Sequence, residues 1–305
     1  MELRHLRYFV TLAEELHFSR AAERLNIAPP TLTVQIQEIE RNLSARLLLR
    51  TKRSVALTPA GEIFLAEARN VLEQYARAES VGRRAGRGEL GRVEIGYVGS
   101  AAYAGVLQQQ MSTFSERWPG VHLNARELPM DELPQLIVDG TVDIGFVRLP
   151  VTMPRSLRIH PLLRDYFCLA TPSPLYRDIK DPIRAARLSD AAFVTPEQES
   201  GTYEVARRGG FKPIIVASPG SLLAVLTHVS LGAGIAVIPS VVRNVVTLPG
   251  VAFHRIAGEP IFSEVAAVFR ASESSPTVKH FVRQIQSTPP QKIRPLNWDP
   301  SIHPA

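Results

Sequence analysis

A single cysteine, Cys168, stands among 305 residues. That excludes an internal disulfide framework and a cysteine-rich zinc site. It sits in the apolar run Tyr166–Ala170, the setting of a buried strand cysteine rather than a reactive thiol. No stretch approaches the roughly 20 apolar residues that a membrane-spanning helix needs. The N-terminus carries Glu2, Glu14 and Glu15 without a long apolar core, so it does not read as a secretory signal, and the expected compartment is the cytoplasm. Metal-ligand spacings are missing, and His160, His228 and His254 are scattered. Glycines at 91, 96, 99 and 105 form no Gly-x-Gly-x-x-Gly, and no Gly-Lys-Ser/Thr follows them. Ser100 and Cys168 are the candidate nucleophiles, and neither has a motif-linked base. These absences weigh against catalysis and leave no cofactor or metal to expect.

What is present is an ordinary globular composition, 45% hydrophobic and 21% charged, with a net charge of +6 and a pI near 9.7. The length allows two or three domains with their own cores, and the basic balance suits a polyanionic partner. The chain is organised around Phe18–Leu43, FSRAAERLNIAPPTLTVQIQEIERNL. Ser19 is the expected cap of a short helix, and Ala22 and Leu25 share a face with Phe18. Asn26 tolerates left-handed backbone and breaks the pattern. Pro29 and Pro30 suit the first turn of a second helix, whose Leu32, Ile36, Ile39 and Leu43 recur at spacings of four, three and four. Two short helices joined in this way fit a helix-turn-helix, whose second helix enters the major groove, and equally a helical hairpin within a core.

A first helix over 3–16 carries Leu6, Phe9, Val10, Ala13 and Leu16 on one stripe. Behind the helix pair, Leu47–Leu57 reads as two short strands around Arg50-Thr51-Lys52-Arg53. This is either a wing whose cations meet phosphates or a solvated charge run. Thr58-Pro59 opens a long helix over Ala60–Arg83, with a seam of Leu65, Ala68, Leu72 and Tyr75 that a second copy would cover. Gly82–Gly91 reads as a hinge.

From Arg92 the pattern becomes strand, helix, strand, helix, strand: Val93–Val98, Tyr103–Arg117, Val121–Glu127, Met130–Asp139 and Val142–Arg148. That predicts a mostly parallel α/β sheet. Tyr166–Thr171, Ala192–Thr195, Ile214–Ala217 and Ile235–Ile238 are the strands of a second region, with helices at Tyr203–Gly209 and Ser221–Leu231. The strand Ser263–Phe269 returns to the first region, and the helix Thr277–Gln286 closes it. The boundaries are 1–59 for the winged helix-turn-helix, 60–90 for the linker helix and hinge, and 91–287 for the α/β region. The last divides into subdomain I, about 91–163 and 264–287, and subdomain II, about 164–263. The proline-rich tail, 288–305, is expected to be disordered.

Taken in order, the first helix, the helix-turn-helix, the basic wing, Leu57-Thr58-Pro59-Ala60-Gly61, the linker helix and the two α/β subdomains resemble a LysR-type transcriptional regulator over residues 1–287. The resemblance implies a fold of winged helix-turn-helix, linker helix and two Rossmann-like subdomains of periplasmic-binding-protein type. It implies a DNA-binding regulator, not an enzyme, controlled by a small-molecule effector bound between the subdomains. Double-stranded DNA, the effector, RNA polymerase and further copies of the chain are the implied partners, with tetramers built from linker-helix dimers. Gly96-Tyr97-Val98-Gly99-Ser100 and Gly145-Phe146-Val147-Arg148 are similar to members that govern breakdown of aromatic compounds and respond to small carboxylates.

The family usually opens its recognition helix with Ser-Gln-Pro, where this chain has Ala28-Pro29-Pro30, and often carries Arg where Val34 stands. The DNA-binding candidates are Ser19, Arg20, Pro30, Thr31, Thr33 and Gln35, with Arg50, Lys52 and Arg53 on the wing. Thr31, Thr33 and Gln35 are favoured for base edges because they lie near the helix start; a solvated polar face is the alternative for each. The effector candidates are Ser100, Met130, Arg148, Thr202 and Tyr203. Ser100 would hold a carboxylate at a helix start and Arg148 would supply its cation, or form a salt bridge instead. Thr202 and Tyr203 would approach from across the cleft. Many relatives place a Thr where Pro129-Met130 stands. The rivals are an enzyme built on 92–287 and a solute-binding protein of a transport system. Steeply salt-dependent retention on DNA separates the regulator from both.

Overall fold

A computed structural model describes residues 1–51, 54–173 and 181–293. Its contacts divide the chain into two units, Met1–Ala85 and Gly86–Ala305.

In the first unit, α1 (Leu3–Glu15), α2 (Phe18–Arg24) and α3 (Pro29–Asn42) precede the strands β1 (Leu48–Arg50) and β2 (Val55–Leu57) and the long helix α4 (Pro59–Gly86). The apolar stripes converge on one core: Leu6, Phe9 and Leu12 of α1, Ala21 and Ala22 of α2, Leu32, Ile36 and Ile39 of α3. Asn26, at φ 54°, makes the turn between α2 and α3. Ser19 is not the cap expected of it. His17 caps α2 by accepting the Arg20 N–H, and Ser19 lies exposed inside the helix, because Phe18 is already helical.

Thr58 caps α4 instead of merely preceding it: its hydroxyl accepts the Gly61 N–H at 2.9 Å and donates to the Arg46 carbonyl at 2.7 Å. Gly61 is required there, since a Cβ would stand 2.1 Å from the Leu47 carbonyl oxygen. The expected seam is used differently. Ala68 is buried and Leu65 and Leu72 pack on this unit's own core, leaving Ile63, Val71 and Val81 exposed. The expected hinge begins later, because α4 continues through Gly82 to Gly86. A helical glycine costs roughly 1 kcal/mol, which an established 28-residue helix tolerates.

The second unit is built on β3 (Gly91–Tyr97), β4 (Val121–Glu127) and β5 (Ile144–Leu149), with β3 parallel to both neighbours. The helix expected over 103–117 starts later, at Val106 (α6, Val106–Arg117), after Gly105, whose φ is 76°, and a short unexpected helix, α5 (Gly99–Ala102), precedes it. The helix expected from Met130 starts at Leu133 (α7, Leu133–Val138), which leaves Met130 in a loop.

The strand expected at Tyr166–Thr171 is one long strand, β6 (Leu157–Pro172). Its first part pairs with β11 (Phe262–Arg270); its last part pairs with β9 (Ala236–Pro239) and β10 (Val251–His254). The expected subdomain boundary at 163/164 therefore falls inside a continuous strand, and β6 and β11 carry the chain between the two halves. The main sheet runs β10-β6-β11-β5-β3-β4. In the second half, β7 (Ala192–Pro196) pairs in parallel with β8 (Ile214–Gly220), flanked by α8 (Ser200–Gly209) and α9 (Leu222–Ser230). Helix α10 (Pro276–Ser287) packs Phe281 against Phe114 with ring centroids 4.5 Å apart and the rings tilted by 31°.

The tail does not leave the fold at 288. Gln291 and Lys292 form β12, which pairs with Leu163 and Arg164 of β6, and the Thr288 hydroxyl accepts from Gln110. The free edge of β6 supplied partners that the proline count concealed; the rest of the tail, 294–305, lies outside the described residues. Among the described residues no helix is long and apolar enough to cross a membrane.

Candidate nucleic-acid interface and effector cleft

Helix α3 starts at Pro29, with Pro30 behind it and Ala28 as the N-cap at φ −72° and ψ 141°. A residue before proline is confined to this extended region, so the Ala-Pro-Pro sequence itself fixes where α3 starts. Ala28 makes no side-chain capping bond. At 100° per residue, the buried Leu32, Ile36 and Ile39 define one face of α3, and Pro30, Val34 and Gln37 lie opposite, all exposed. Thr31 is exposed beside them. Thr33 and Gln35 fall on the flanks, half-buried, and both are internally engaged. The Thr33 hydroxyl donates to the Pro29 carbonyl at 3.0 Å, and the Gln35 amide lies 3.5 Å from Glu38. Val34, 53% exposed, stands at the centre of the outer face.

The wing is an antiparallel pair in the register Leu48↔Leu57, Leu49↔Ala56 and Arg50↔Val55. Arg50 is not a free cation: it donates to Glu40 at 2.7 Å and lies 5.3 Å from the Phe18 ring centre. The other oxygen of Glu40 accepts the backbone N–H groups of Leu47 and Leu48. Glu40, on α3, thus fastens the wing to the recognition helix, a role that no local pattern announced. Arg20 pairs with Glu15 on the far end of α1, through the carbonyl at 2.7 Å and the carboxylate at 3.4 Å. Lys52 and Arg53, the other cations expected on the wing, lie outside the described residues.

In the second unit a cavity of about 300 Å³ opens between the two halves. Gly99, Ser100 and Glu127–Met130 line it from one half; Pro196–Gln198 and Gly220–Leu222 line it from the other, with Arg148 and Phe167 at the back. These segments follow the C-terminal ends of β3, β4, β5, β7 and β8, where ligands of open α/β sheets collect. Two hydrogen bonds cross the cleft. The Met130 N–H donates to the Glu197 carboxylate, and the Gln198 amide donates to the Arg148 carbonyl at 3.3 Å.

Ser100, Met130 and Arg148 are brought together, as the sequence predicted. Thr202 and Tyr203 are not in the lining. Helix α8 begins at Ser200, three residues before its expected start, so Thr202 is buried inside its first turn and Tyr203 turns outward. The loop before it supplies Glu197 and Gln198 instead. Those two, with Glu127 and Ser221, were missed; their position just after strand ends was the available signal.

Arg148 does not reach out for a ligand. Fully buried, it donates to the Ser263 hydroxyl at 2.7 Å and to the Ser100 carbonyl at 2.9 Å, and stands 4.0 Å from Asp165. Burial pushes its pKa down to about 10, against the pull of Asp165. Burial likewise pushes Asp165 up, opposed by hydrogen bonds from Ser240 and the Tyr166 and Val241 N–H groups and by the Arg148 charge. Glu197 is pushed up by burial and by Asp131 and Glu127, with the Met130 N–H acting the other way. Cys168 is buried in β6, and burial raises its thiol pKa well out of the reactive range.

The family model described as "Bacterial regulatory helix-turn-helix protein, lysR family" matches residues 3–62, and the "LysR substrate binding domain" matches residues 86–289. The HTH-type transcriptional regulator YnfL of Escherichia coli (strain K12) is 35% identical over 92% of this chain and 96% of its own length. The HTH-type transcriptional regulator AlsR of Bacillus subtilis (strain 168) is 33% identical over 92% and 94%. Among solved structures, full-length CbnR complexed with its target DNA matches with a TM-score of 0.80 at 27% identity, over 94% of this chain and 99% of that one.

Proposed function

The chain belongs to the LysR family of bacterial transcriptional regulators, DNA-binding proteins with an effector-binding domain and not enzymes, and from that premise we propose how this member divides its labour. Helix α3 enters the major groove and reads bases with its outer face, Pro30, Thr31, Val34 and Gln37, more than with the flanking Thr33 and Gln35. Thr31 offers a hydroxyl, and Val34 offers an apolar surface to a thymine methyl. The exposure of all four, with Pro30, Val34 and Gln37 opposite the buried stripe and Thr31 beside them, supports this. Lys52 and Arg53 of the wing, with Ser19 and Arg20 of α2, contact the phosphate backbone, while Arg50 acts mainly by holding the wing through Glu40.

Chains associate through the apolar residues that α4 leaves exposed, Ile63, Val71 and Val81, as a dimer and then a tetramer. The effector binds in the cavity between the α/β halves. The observation that carries this is the cleft itself, walled by both halves and closed by two hydrogen bonds between them. A ligand that favours one arrangement of the halves shifts the population of DNA-bound geometries, and RNA polymerase at the adjacent promoter reads the result.

The test is footprinting on the DNA flanking the chain's own gene, followed by selection of binding sites from random DNA. Thr31→Ala and Val34→Ala should each relax base preference by about tenfold, since one good base contact is worth roughly 1–3 kcal/mol. Salt-sensitive nonspecific binding should remain. Variants that select the parent's sites with undiminished preference overturn the assignment of this face.

A further inference from the structure

The charge of the cleft is the wrong sign for the carboxylate that the sequence motifs led us to expect. Its one cation among the described lining residues, Arg148, is sequestered: both of its terminal nitrogens are engaged, by Ser263 and the Ser100 carbonyl, and Asp165 stands 4.0 Å away. The acids are the groups that remain. Glu127 and Glu197 both line the cavity, and Asp131 lies next to Met130 on the same loop. Glu127 approaches the backbone so closely that a Cβ on Gly99 would stand 2.5 Å from its Oε1. An anion entering here would face two carboxylates with no free positive charge to offset them.

The back of the cavity adds a second, independent observation. Gln198 is only 8% exposed, and its amide nitrogen is spent on the Arg148 carbonyl. Its Oε1 has no hydrogen-bond partner, and neither does Nε of Arg148. One buried acceptor and one buried donor, both on residues lining the cavity, are thus left unsatisfied, an arrangement that costs free energy unless something supplies the partners. A hydroxyl or an amide carries both a donor and an acceptor, the two kinds of partner these atoms lack. A carboxylate supplies acceptors only: it can serve Arg148 Nε but leaves Gln198 Oε1 without a donor.

We propose that the effector of this cleft is a small uncharged or cationic molecule, with a hydroxyl or amide group meeting Gln198 and Arg148 and N–H or O–H donors facing Glu127 and Glu197. Its body is compact and apolar, matching Leu128, Met130, Phe167 and Leu222. This rests on the reading of the cleft as the effector site, and it refines that reading by ligand class.

The experiment uses the full chain and ligand-observed NMR. The probes are matched sets on cyclohexyl, phenyl and butyl skeletons, each as carboxylate, primary amide, alcohol and ammonium. Gln198→Leu and, separately, Ser100→Val report which signals come from the cleft, and thermal unfolding establishes that each variant is folded. The expected result is that cleft-dependent amides, alcohols or amines bind at least about tenfold more tightly than their carboxylate counterparts. In the Glu127→Gln, Glu197→Gln double variant, carboxylate binding should strengthen on the order of tenfold, since two opposing charges are removed. Cleft-dependent binding that favours carboxylates in the parent overturns the ligand class and leaves the cleft as the site. If no probe's signal depends on either variant, the cleft itself fails as the effector site, and the ligand class falls with it.

Discussion

Ala28→Ser should stabilise the DNA-reading unit. The N-cap of α3 makes no side-chain bond, and its first two helical residues are Pro29 and Pro30, which have no N–H to offer. The donor within reach of a cap oxygen is therefore the Thr31 N–H, and Ala28 already holds the extended geometry, φ −72° and ψ 141°, that a serine cap needs. No backbone rearrangement offsets the gain, so it should approach the typical Ala-to-Ser difference of about 1 kcal/mol. For a unit the size of Met1–Ala85, that raises the melting temperature by roughly 4–8 °C. Hydrogen exchange gives the direct reading: opening of the first turn of α3 becomes about fivefold rarer, so exchange of the Thr31 amide slows by that factor. Ala28→Val, which has bulk but no oxygen, should give no such slowing. Unchanged Thr31 exchange in Ala28→Ser, or equal slowing in Ala28→Val, refutes the reasoning.

Arg148→Met should destabilise the α/β unit by about 3 kcal/mol in urea unfolding, the low end for breaking a buried pair, because Asp165 keeps its hydrogen bonds from Ser240, Tyr166 and Val241; a loss under about 1 kcal/mol would mean that Arg148 is not structural. Gly61→Ala should destabilise the winged-helix unit by about 1–3 kcal/mol, since the added carbon meets the Leu47 backbone at 2.1 Å, and a melting temperature equal to the parent's would contradict that contact. Glu204 is held down to about 2 by its hydrogen bonds from Arg207 and Arg208. Its pKa is lowered in the folded state, so its contribution is present above the ordinary glutamate pKa and is lost as pH falls from there toward about 2. Because the ion pairs are partly open to solvent, with the Arg207 side chain 72% exposed, Glu204→Gln should cost under about 1 kcal/mol, and an NMR titration showing an ordinary glutamate pKa would remove the effect altogether.

The N-terminal unit was legible because its instructions are local. Leu32, Ile36 and Ile39 mark the buried side of α3 by spacing alone, Asn26 marks the turn, and the two prolines mark the helix start. What spacing did not give was the outward order of the polar residues. Thr33 and Gln35 look as available as Thr31 in the sequence, yet both are half-buried and engaged within the helix, Thr33 with the Pro29 carbonyl and Gln35 with Glu38, while Thr31 is exposed. Nor could it give Glu40, whose partners Leu47, Leu48 and Arg50 lie beyond the end of the helix. Helix ends misled where a neighbouring residue could take the cap, as His17 does from Ser19.

The cleft was only half legible, and the reason is its non-local assembly. Ser100, Met130 and Arg148 each follow or end a strand of the first half, and all three line the cavity. Applied with equal strictness to β7, the same rule points to Glu197 and Gln198, directly after Pro196. The expected helix start at Tyr203 drew attention three residues too far along. The charge of Arg148 misled for a different reason. An arginine at a strand end near a cavity reads as an anion site until its partners are known, and those partners, Asp165 and Ser263, come from β6 and β11, the strands that carry the chain between the halves. The guanidinium therefore ties the Ser100 lip of the cleft to the strands that carry the chain between the halves. A ligand need not form an ion pair with Arg148 to be felt there. It is enough that it moves the Ser100 carbonyl or supplies the bond that Arg148 Nε lacks.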